Sequence, residues 1–314
     1  MAEIWQAPEI LYPTVYPYKY LVVIYESILQ PWSICKFKHN RLSQGILGME
    51  QRKLRDSVLW LSLGENCLPD DILKRHGRKS FSTPFSSGRT NIDYALELEK
   101  ENFCNLLIKD NLCYGDAWGT RVVRSTYITK ADDIYDVSCA RGFEFTHHNL
   151  IESQKDLDSY HRKVQRLIAI RNRMDVVFLY HHRRNDKSDF NKLIQKLCDF
   201  RLIYSTNNSK AYIVLFHQSI VHQKDERRLE IEFFDERFLE FKFHTEYVWG
   251  GNDSIIFYAR NDEDLVTEMF KKIDAHFAFI KGGGVSTIPA DAKGNSYQAA
   301  EIPQNPSTQR PVER

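Results

Sequence analysis

The chain has 314 residues, of which 42% are hydrophobic, 13% aromatic and 27% charged. This composition is typical of a packed globular protein and argues against general disorder, which goes with few aromatic residues and a high net charge. The formal net charge is only +1. We therefore do not expect nucleic acid as the main partner, because such binding needs a basic surface that neutralises phosphates.

The first residues do not form a signal-peptide pattern. Glu3 stands where a basic segment would begin, and the apolar run of residues 20–25 is short and internal. No run approaches the roughly 20 apolar residues that a membrane span needs. We therefore expect a soluble, cytoplasmic protein without a membrane span.

Composition divides the chain into three zones. Residues 1–51 are rich in Tyr, Pro and Trp, and we interpret them as an N-terminal extension with one strand or short helix. Residues 52–280 carry the patterns of an α/β domain. Residues 281–314 contain a triple glycine and then mostly Pro, Gly, Ser, Gln and Asn, which predicts a disordered tail.

Short apolar runs alternate with helical patterns in the central zone. Strands are predicted at residues 58–63, 176–180, 211–216, 229–234 and 254–259. Helices are predicted at residues 69–75, 96–107, 158–173 and 262–280. A further helix is predicted directly after Ser188, which would be its N-cap. Such alternation favours βαβ units, and continuous apolar strands are typical of a parallel sheet covered on both faces. The predicted fold is α/β: a mainly parallel sheet flanked by helices, in three layers with a Rossmann-like order.

The cysteines and histidines do not follow the spacing of a known metal site. Six cysteines are present, at positions 35, 67, 104, 113, 139 and 198. They form no Cys-x-x-Cys pair and match no zinc-site spacing. Adjacent histidines at 147–148 and 181–182 would point to opposite faces of an extended strand, and the chain has no helical His-x-x-x-His. We predict free thiols and no metal site.

Cys67 differs from the other cysteines in its position. It follows a predicted strand and Gly64, and it precedes a predicted helix; ligands of open α/β sheets bind beyond the carboxyl ends of the strands. A helix N-terminus stabilises a thiolate, which predicts a lowered thiol pKa and a nucleophile, although Asp70 and Asp71 oppose this. Asn66 and nearby backbone N–H groups could hold an oxyanion. The alternative is a buried structural cysteine.

A nucleophilic cysteine needs a base, and two adjacent histidines are the candidates. His147 and His148 directly follow an aromatic run that resembles a strand end. Either could take the thiol proton while Asn149 or an acidic residue orients its ring. We favour His148, because Asn149 follows it. The alternative is a pair of surface histidines.

Five segments together resemble a bacterial family of papain-like cysteine peptidases. They are LSLGENC at residues 61–67, FSTPF at 81–85, HHN at 147–149, YHRKVQRL at 160–167 and the strand at 176–180. The resemblance runs from about residue 58 to residue 216. It implies a catalytic pair formed by Cys67 and either His147 or His148.

One departure and a second, looser resemblance widen the functional choice. Many members of that family have Asp-Trp after Pro-Phe, whereas this chain has Ser86 and Ser87, so the acid is lost or has moved, for example to Asp93. The Gly-x-Asn-Cys turn is also similar to one in capsular-polysaccharide biosynthesis proteins that bind coenzyme A and acetylate sugars. This similarity implies acyl transfer to a saccharide, with coenzyme A as the cofactor.

Four arginines predict an anion site. Arg183 and Arg184 follow the strand at residues 176–180, at its carboxyl end, where they could grip a phosphate or carboxylate. With Arg162, Lys163 and Arg166 they could hold coenzyme A or a nucleotide-sugar. The alternative is a solvated polar loop.

Two classes of function therefore stay open. The preferred hypothesis is a cysteine-dependent hydrolase or acyltransferase acting on a small molecule or saccharide, in surface polysaccharide biosynthesis if the acceptor is a sugar. Cys67 would be its nucleophile, His148 or His147 its base and Asn66 part of its oxyanion site. The rival is a non-catalytic binding protein that keeps the fold and holds an anionic ligand, and the missing Asp-Trp favours this rival.

Overall fold

The computed structural model describes residues 58–206 and 208–281. The predictions for residues 1–51 and for the tail after residue 281 lie outside this part of the chain. Among the helices of the described residues, none combines the length and the apolar character that a membrane crossing requires.

Strands and helices alternate along most of the described chain. Its eight strands are β1 (Leu59–Gly64), β2 (Leu112–Ala117), β3 (Thr120–Ser125), β4 (Phe143–Phe145), β5 (Val176–His181), β6 (Ala211–Ile220), β7 (Arg228–Phe234) and β8 (Phe238–Thr245). Its six α-helices are α1 (Leu68–Arg75), α2 (Ile92–Lys100), α3 (Gln154–Ile170), α4 (Phe190–Ile203), α5 (Ser254–Phe257) and α6 (Glu263–Lys281).

Five strands form the main sheet, in the order β1-β5-β6-β8-β7. The first four run parallel, and β7 pairs antiparallel with β8 at the edge. Gly64 pairs with His181, and His181 pairs with Phe216, so the carboxyl ends of β1 and β5 lie side by side. The prediction of an α/β fold with a mainly parallel sheet is confirmed.

Both faces of the main sheet are covered by helices. Successive side chains of a strand point to opposite faces, so Leu61, Phe178 and Ile213 enter one hydrophobic core with α2, α3 and α4. Leu179 and Val214 enter the other core with α1 and α6. This double coverage explains why the central strands are apolar at nearly every position.

A smaller antiparallel sheet, in the order β2-β3-β4, lies beside the main one. Trp118 and Gly119 form the tip of the β2–β3 hairpin, and both have positive φ angles of 53° and 75°. Glu144 of β4 is buried and accepts hydrogen bonds from Arg124 at 2.8 Å, and it also pairs with Arg89 at 3.4 Å. This ion-pair cluster ties the small sheet to the loop that carries Arg89.

The strand predicted at residues 254–259 is wrong, because this segment contains the short helix α5. Asp253 accepts hydrogen bonds from the backbone N–H groups of Ile255 (2.8 Å) and Ile256 (3.4 Å), which caps a helix. A short apolar run fits a strand and a helix equally well by periodicity. Conversely, β8 lies in the main sheet where no strand was predicted.

Two helix boundaries also differ from the prediction. The helix predicted at residues 96–107 begins earlier and ends at Lys100, because the chain turns at Phe103, whose φ is 60°. Asp189 rather than Ser188 caps α4. The remaining elements predicted within residues 58–281 are confirmed to within a few residues.

Candidate functional site

The turn of residues 64–67 joins β1 to α1 and requires glycine at its first position. Gly64 has a φ of +123°, and a Cβ there would lie 3.1 Å from the ring of Tyr180 and 3.3 Å from the carbonyl oxygen of His181. Both the backbone conformation and the lack of space select glycine. Cys67 is the N-cap residue of α1, so its predicted place between a strand and a helix is confirmed.

Glu65 anchors this turn to the end of β5. Its carboxylate is fully buried and accepts hydrogen bonds from the hydroxyl of Tyr180 at 3.0 Å, from Nδ1 of His182 at 2.7 Å and from the backbone N–H of Arg183 at 2.9 Å. Three donors compensate the buried oxygens. The second ring nitrogen of His182 bonds to Ser188, so this histidine is engaged in holding the loop.

Asn66 is oriented by the first turn of α1. Its Oδ1 accepts a hydrogen bond from the backbone N–H of Leu68 at 3.1 Å and lies 3.4 Å from Nδ1 of His181. Burial keeps the pKa of His181 well below its usual range, so this ring is neutral. Because Oδ1 is engaged, the Nδ2 amide is the end of Asn66 that could donate to an oxyanion.

The thiol of Cys67 contacts a tyrosine. Its Sγ lies 3.8 Å from the hydroxyl of Tyr258, which follows α5. Burial raises the pKa of the Cys67 thiol above its ordinary value, and Asp70 and Asp71 raise it further, while the Tyr258 hydroxyl and a backbone N–H lower it. The predicted lowering of the thiol pKa is therefore wrong, because burial outweighs the N-terminus of the helix.

A cavity of about 300 Å³ opens beside the turn. Cys67 and Asn66 contribute to its wall, together with His147 and with Trp118 from the hairpin tip. Of the two adjacent histidines, His147 lines this cavity. The structure thus brings three of the predicted site residues to one concave surface.

The surroundings of His147 favour its neutral form. Burial lowers its pKa, and electrostatic interactions with the neighbouring His148 and Arg89 lower it further. Arg89 is itself buried, and its guanidinium stacks 3.7 Å from the centre of the Trp118 ring. The cavity therefore combines a neutral imidazole with a fixed cation.

His148 lies in a different environment from His147. It lines a second cavity of about 360 Å³, whose wall also includes His147 and Asp156. Its Nδ1 lies 3.2 Å from Oδ1 of Asp156, its Nε2 lies 3.5 Å from Nζ of Lys163, and its ring meets Tyr160 edge-on. His148 thus forms a carboxylate–imidazole pair next to the cavity that contains Cys67.

Lys163 connects His148 to Ser87, which lies two residues after the FSTPF segment. Its Nζ donates to Oγ of Ser87 at 3.1 Å and lies 4.0 Å from the centre of the Tyr160 ring. Burial lowers the pKa of Lys163 to about 8. Ser87 therefore contacts an ammonium group.

The other suggested acid, Asp93, lies elsewhere. It pairs with Nζ of Lys196 at 2.5 Å and accepts a hydrogen bond from Tyr135 at 3.2 Å. It lines neither of the two cavities. Ser86 is buried and bonds to Oγ of Ser62 at 3.0 Å.

The four arginines predicted for an anion site lie on two elements. Arg183 donates to Oγ of Ser138 at 2.7 Å, and Arg184 next to it is exposed. Arg162 and Arg166 lie on the exposed surface of α3. None of the four lines either cavity.

Sequence reasoning did not single out Arg89, Trp118 or Tyr258. Tyr258 is separated from Cys67 by 191 positions, and it lies in a segment predicted as a strand, so nothing local pointed to it. Gly119, directly after Trp118, offered a weak signal, because glycine readily adopts the positive φ of a tight turn.

Comparison with known proteins supports the assignment of the central zone. Residues 58–219, just over half of the chain, match the family described as "Putative papain-like cysteine peptidase". No curated protein and no solved structure matches the chain. The match includes Cys67 and both candidate histidines, whereas Tyr258 lies beyond it. On this match, the chain belongs to the family described as "Putative papain-like cysteine peptidase".

Proposed function

We propose that this protein is a cysteine-dependent hydrolase in which Cys67 is the nucleophile and His147 the general base. The observation that carries the proposal is that both residues line one cavity, at the carboxyl end of β1 and the N-terminus of α1. Nucleophile, base and oxyanion donors at one concave surface are the parts that acyl-group cleavage needs.

The two pKa directions define the resting state of the pair. Burial raises the pKa of Cys67 and lowers that of His147, so both groups are uncharged at neutral pH. His147 must then remove the thiol proton as the bond to substrate forms, rather than stabilise a thiolate formed beforehand. Activity should rise as pH increases through the lowered pKa of His147, because only the neutral ring can accept the thiol proton.

The reaction follows from these roles. Sγ of Cys67 attacks an acyl carbonyl carbon while His147 takes the thiol proton, and the negative oxygen accepts hydrogen bonds from the Asn66 amide and backbone N–H groups. His147 then returns the proton to the leaving amine or alcohol, which leaves a thioester on Cys67. Water, deprotonated by His147, cleaves the thioester and regenerates the thiol.

Two groups of the cavity wall suit substrate binding. Trp118 is 67% exposed although it is a large aromatic side chain, and Arg89 lies beneath it with its charge shared by Glu144. An exposed aromatic ring over a buried cation could hold a flat, polar group such as an amide or carboxylate.

A binding protein without catalysis is the second candidate, and the partner of Cys67 favours it. Tyr258 rather than a histidine contacts Sγ, and the thiol pKa is raised. In this alternative the cavity holds an anionic ligand and Cys67 is a structural thiol.

A hydrolase and an acyltransferase would share all the parts named above and differ only in whether water or a sugar accepts the acyl group.

Thiol reactivity separates catalysis from binding. We would measure the rate of iodoacetamide labelling and the hydrolysis of an activated ester by the full chain, with Cys67→Ala and His147→Gln. Cys113→Ala is the matched control, because Cys113 is an exposed cysteine on β2. We expect Cys67→Ala and His147→Gln to abolish ester hydrolysis and Cys113→Ala to leave it unchanged.

The outcome for His148→Gln completes the assignment. If His147→Gln keeps full activity while His148→Gln loses it, the base is His148 and the cavity has been assigned wrongly. If neither Cys67→Ala nor His147→Gln changes hydrolysis, the catalytic proposal fails and the binding protein is favoured. Thermal stabilisation by coenzyme A would favour acyl transfer over hydrolysis.

A further inference from the structure

A second cluster of polar side chains lies on β6, β7 and β8, the three strands of the main sheet farthest from β1. It consists of His217 on β6, Glu232 on β7 and Glu240 on β8. Nε2 of His217 lies 3.1 Å from Oε1 of Glu240 and 3.2 Å from Oε2 of Glu232. None of the three residues lines either of the cavities described above, and both glutamates lie beyond the segment that matches the family.

We propose that His217, Glu232 and Glu240 form a binding site for a divalent transition-metal cation, with Zn²⁺ as the best-fitting ion. One potential ligand atom from each residue lies within 4.8 Å of the other two. Zinc binds histidine nitrogen and carboxylate oxygen at about 2.0–2.2 Å, so two of its ligands in a tetrahedral arrangement are about 3.3 Å apart. The two His217–glutamate distances are close to that separation.

One buried carboxylate oxygen of this cluster has no hydrogen-bond partner in the described part of the chain, and this observation points to a cation as its ligand. His217 and Glu240 are fully buried. Within the described residues, Oε2 of Glu240 has no hydrogen-bond partner. A buried carboxylate oxygen without a partner is costly, and a cation held by both oxygens of Glu240 would compensate it.

The third residue reaches the cluster because of a bulge in β7. The pairing of β7 with β8 shifts between Ile231 and Phe233, so Glu232 is the extra residue. Bulges re-aim side chains in this manner. Nζ of Lys242 holds Oε1 of Glu232 at 2.8 Å, which leaves Oε2 directed at His217. Such support of a ligand by a neighbouring group is typical of metal sites.

The donor set selects the kind of ion. One imidazole with two carboxylates suits zinc, manganese or iron, whereas calcium and magnesium prefer oxygen ligands alone. The site is covered on one side by the ring of Phe190, 4.4 Å from that of His217. The side chain of Glu232 is 27% exposed, and this opening would admit the ion.

The same strands contain a matched pair that lacks the third ligand. His244 of β8 lies 2.9 Å from Oε2 of Glu230 on β7, in an ordinary histidine–carboxylate pair near the surface. If the cluster at His217 were also an ordinary ion pair, both sites would respond to metal ions in the same way. Glu230→Gln is therefore the control for Glu232→Gln.

The test uses the full chain after treatment with a chelator and dialysis. Zn²⁺ binding is measured by calorimetric titration. Co²⁺ binding is followed by visible absorption, which reports the arrangement of the ligands. Ca²⁺ is the negative control. We expect one saturable Zn²⁺ site, a higher melting temperature with Zn²⁺ than with Ca²⁺, and an affinity that falls about tenfold or more in Glu232→Gln. Glu230→Gln should bind as the unchanged chain does.

Either of two results would overturn the site. The first is the absence of saturable Zn²⁺ binding. The second is a Zn²⁺ affinity that stays unchanged in both Glu232→Gln and His217→Gln, because the ion would then bind elsewhere, for example to cysteines. Because Glu232 is at the exposed edge, its substitution should preserve the fold, which circular dichroism verifies. Glu232→Asp, which retains the charge but shortens the side chain, should give an intermediate affinity.

Discussion

The turn that places Cys67 depends on Gly64, and replacing this residue by alanine should destabilise the protein strongly. Its φ of +123° lies in a region that residues with a Cβ rarely adopt, which costs about 1 to 3 kcal/mol. The added Cβ would also lie 3.1 Å from the Tyr180 ring and 3.3 Å from a backbone oxygen. The aromatic ring is fully buried and cannot move aside without disturbing the core. We expect Gly64→Ala to lower the free energy of unfolding by about 2 to 4 kcal/mol.

Gly77 supplies the control for this prediction. It also has a positive φ, of +66°, but a Cβ there would meet nothing within 4 Å. Gly77→Ala should therefore lower the free energy of unfolding only by the backbone term, about 1 kcal/mol. Urea unfolding followed by circular dichroism measures both values. Equal losses in the two variants would refute the argument that close packing against Tyr180 selects glycine at position 64.

Three further predictions concern groups around the site. Tyr258→Phe removes the hydroxyl that lowers the thiol pKa of Cys67, so the pKa found from the pH dependence of iodoacetamide labelling should rise; an unchanged value would mean that this contact is absent in solution. Lys163 has a pKa of about 8 in the folded protein, below the ordinary 10.5, so folding becomes more favourable as pH rises from about 8 to 10.5. Thermal melts should therefore show a melting temperature that increases over this pH range. Lys163→Met should abolish the increase and stabilise the protein by about 1 to 2 kcal/mol at pH 7. Glu144→Gln leaves two guanidinium groups without their buried counter-charge and should lower the free energy of unfolding by about 3 kcal/mol in urea; a loss below about 1 kcal/mol would show that water screens this cluster.

Much of the fold could be predicted because its signals are local. The apolar run before Gly64 and the helix after Cys67 are neighbours in the sequence, and periodicity identifies both. The same holds for the strands that begin at Val176 and Ala211. Where the local signal was ambiguous the prediction failed: the apolar run after Asp253 forms a helix, because its cap decides between two structures that periodicity alone does not distinguish.

The properties of the candidate site depended on contacts between distant parts of the chain. The sequence placed Cys67 at a helix N-terminus, but the direction of its pKa shift follows from burial and from a tyrosine 191 positions away. His147 and His148 are adjacent and equivalent in the sequence. Their different surroundings result from the packing of the small sheet against α3, which sets His148 beside Asp156.

The sequence by itself determined the class of fold, the family and the cysteine at the end of β1, because strand and helix periodicity and a short motif depend only on neighbouring residues. The tertiary structure alone decided which histidine lines the cavity of Cys67. It also brought His217, Glu232 and Glu240 together on three strands. Burial and electrostatics act through space rather than along the chain, and a β-bulge that re-aims one side chain has no signature in local periodicity.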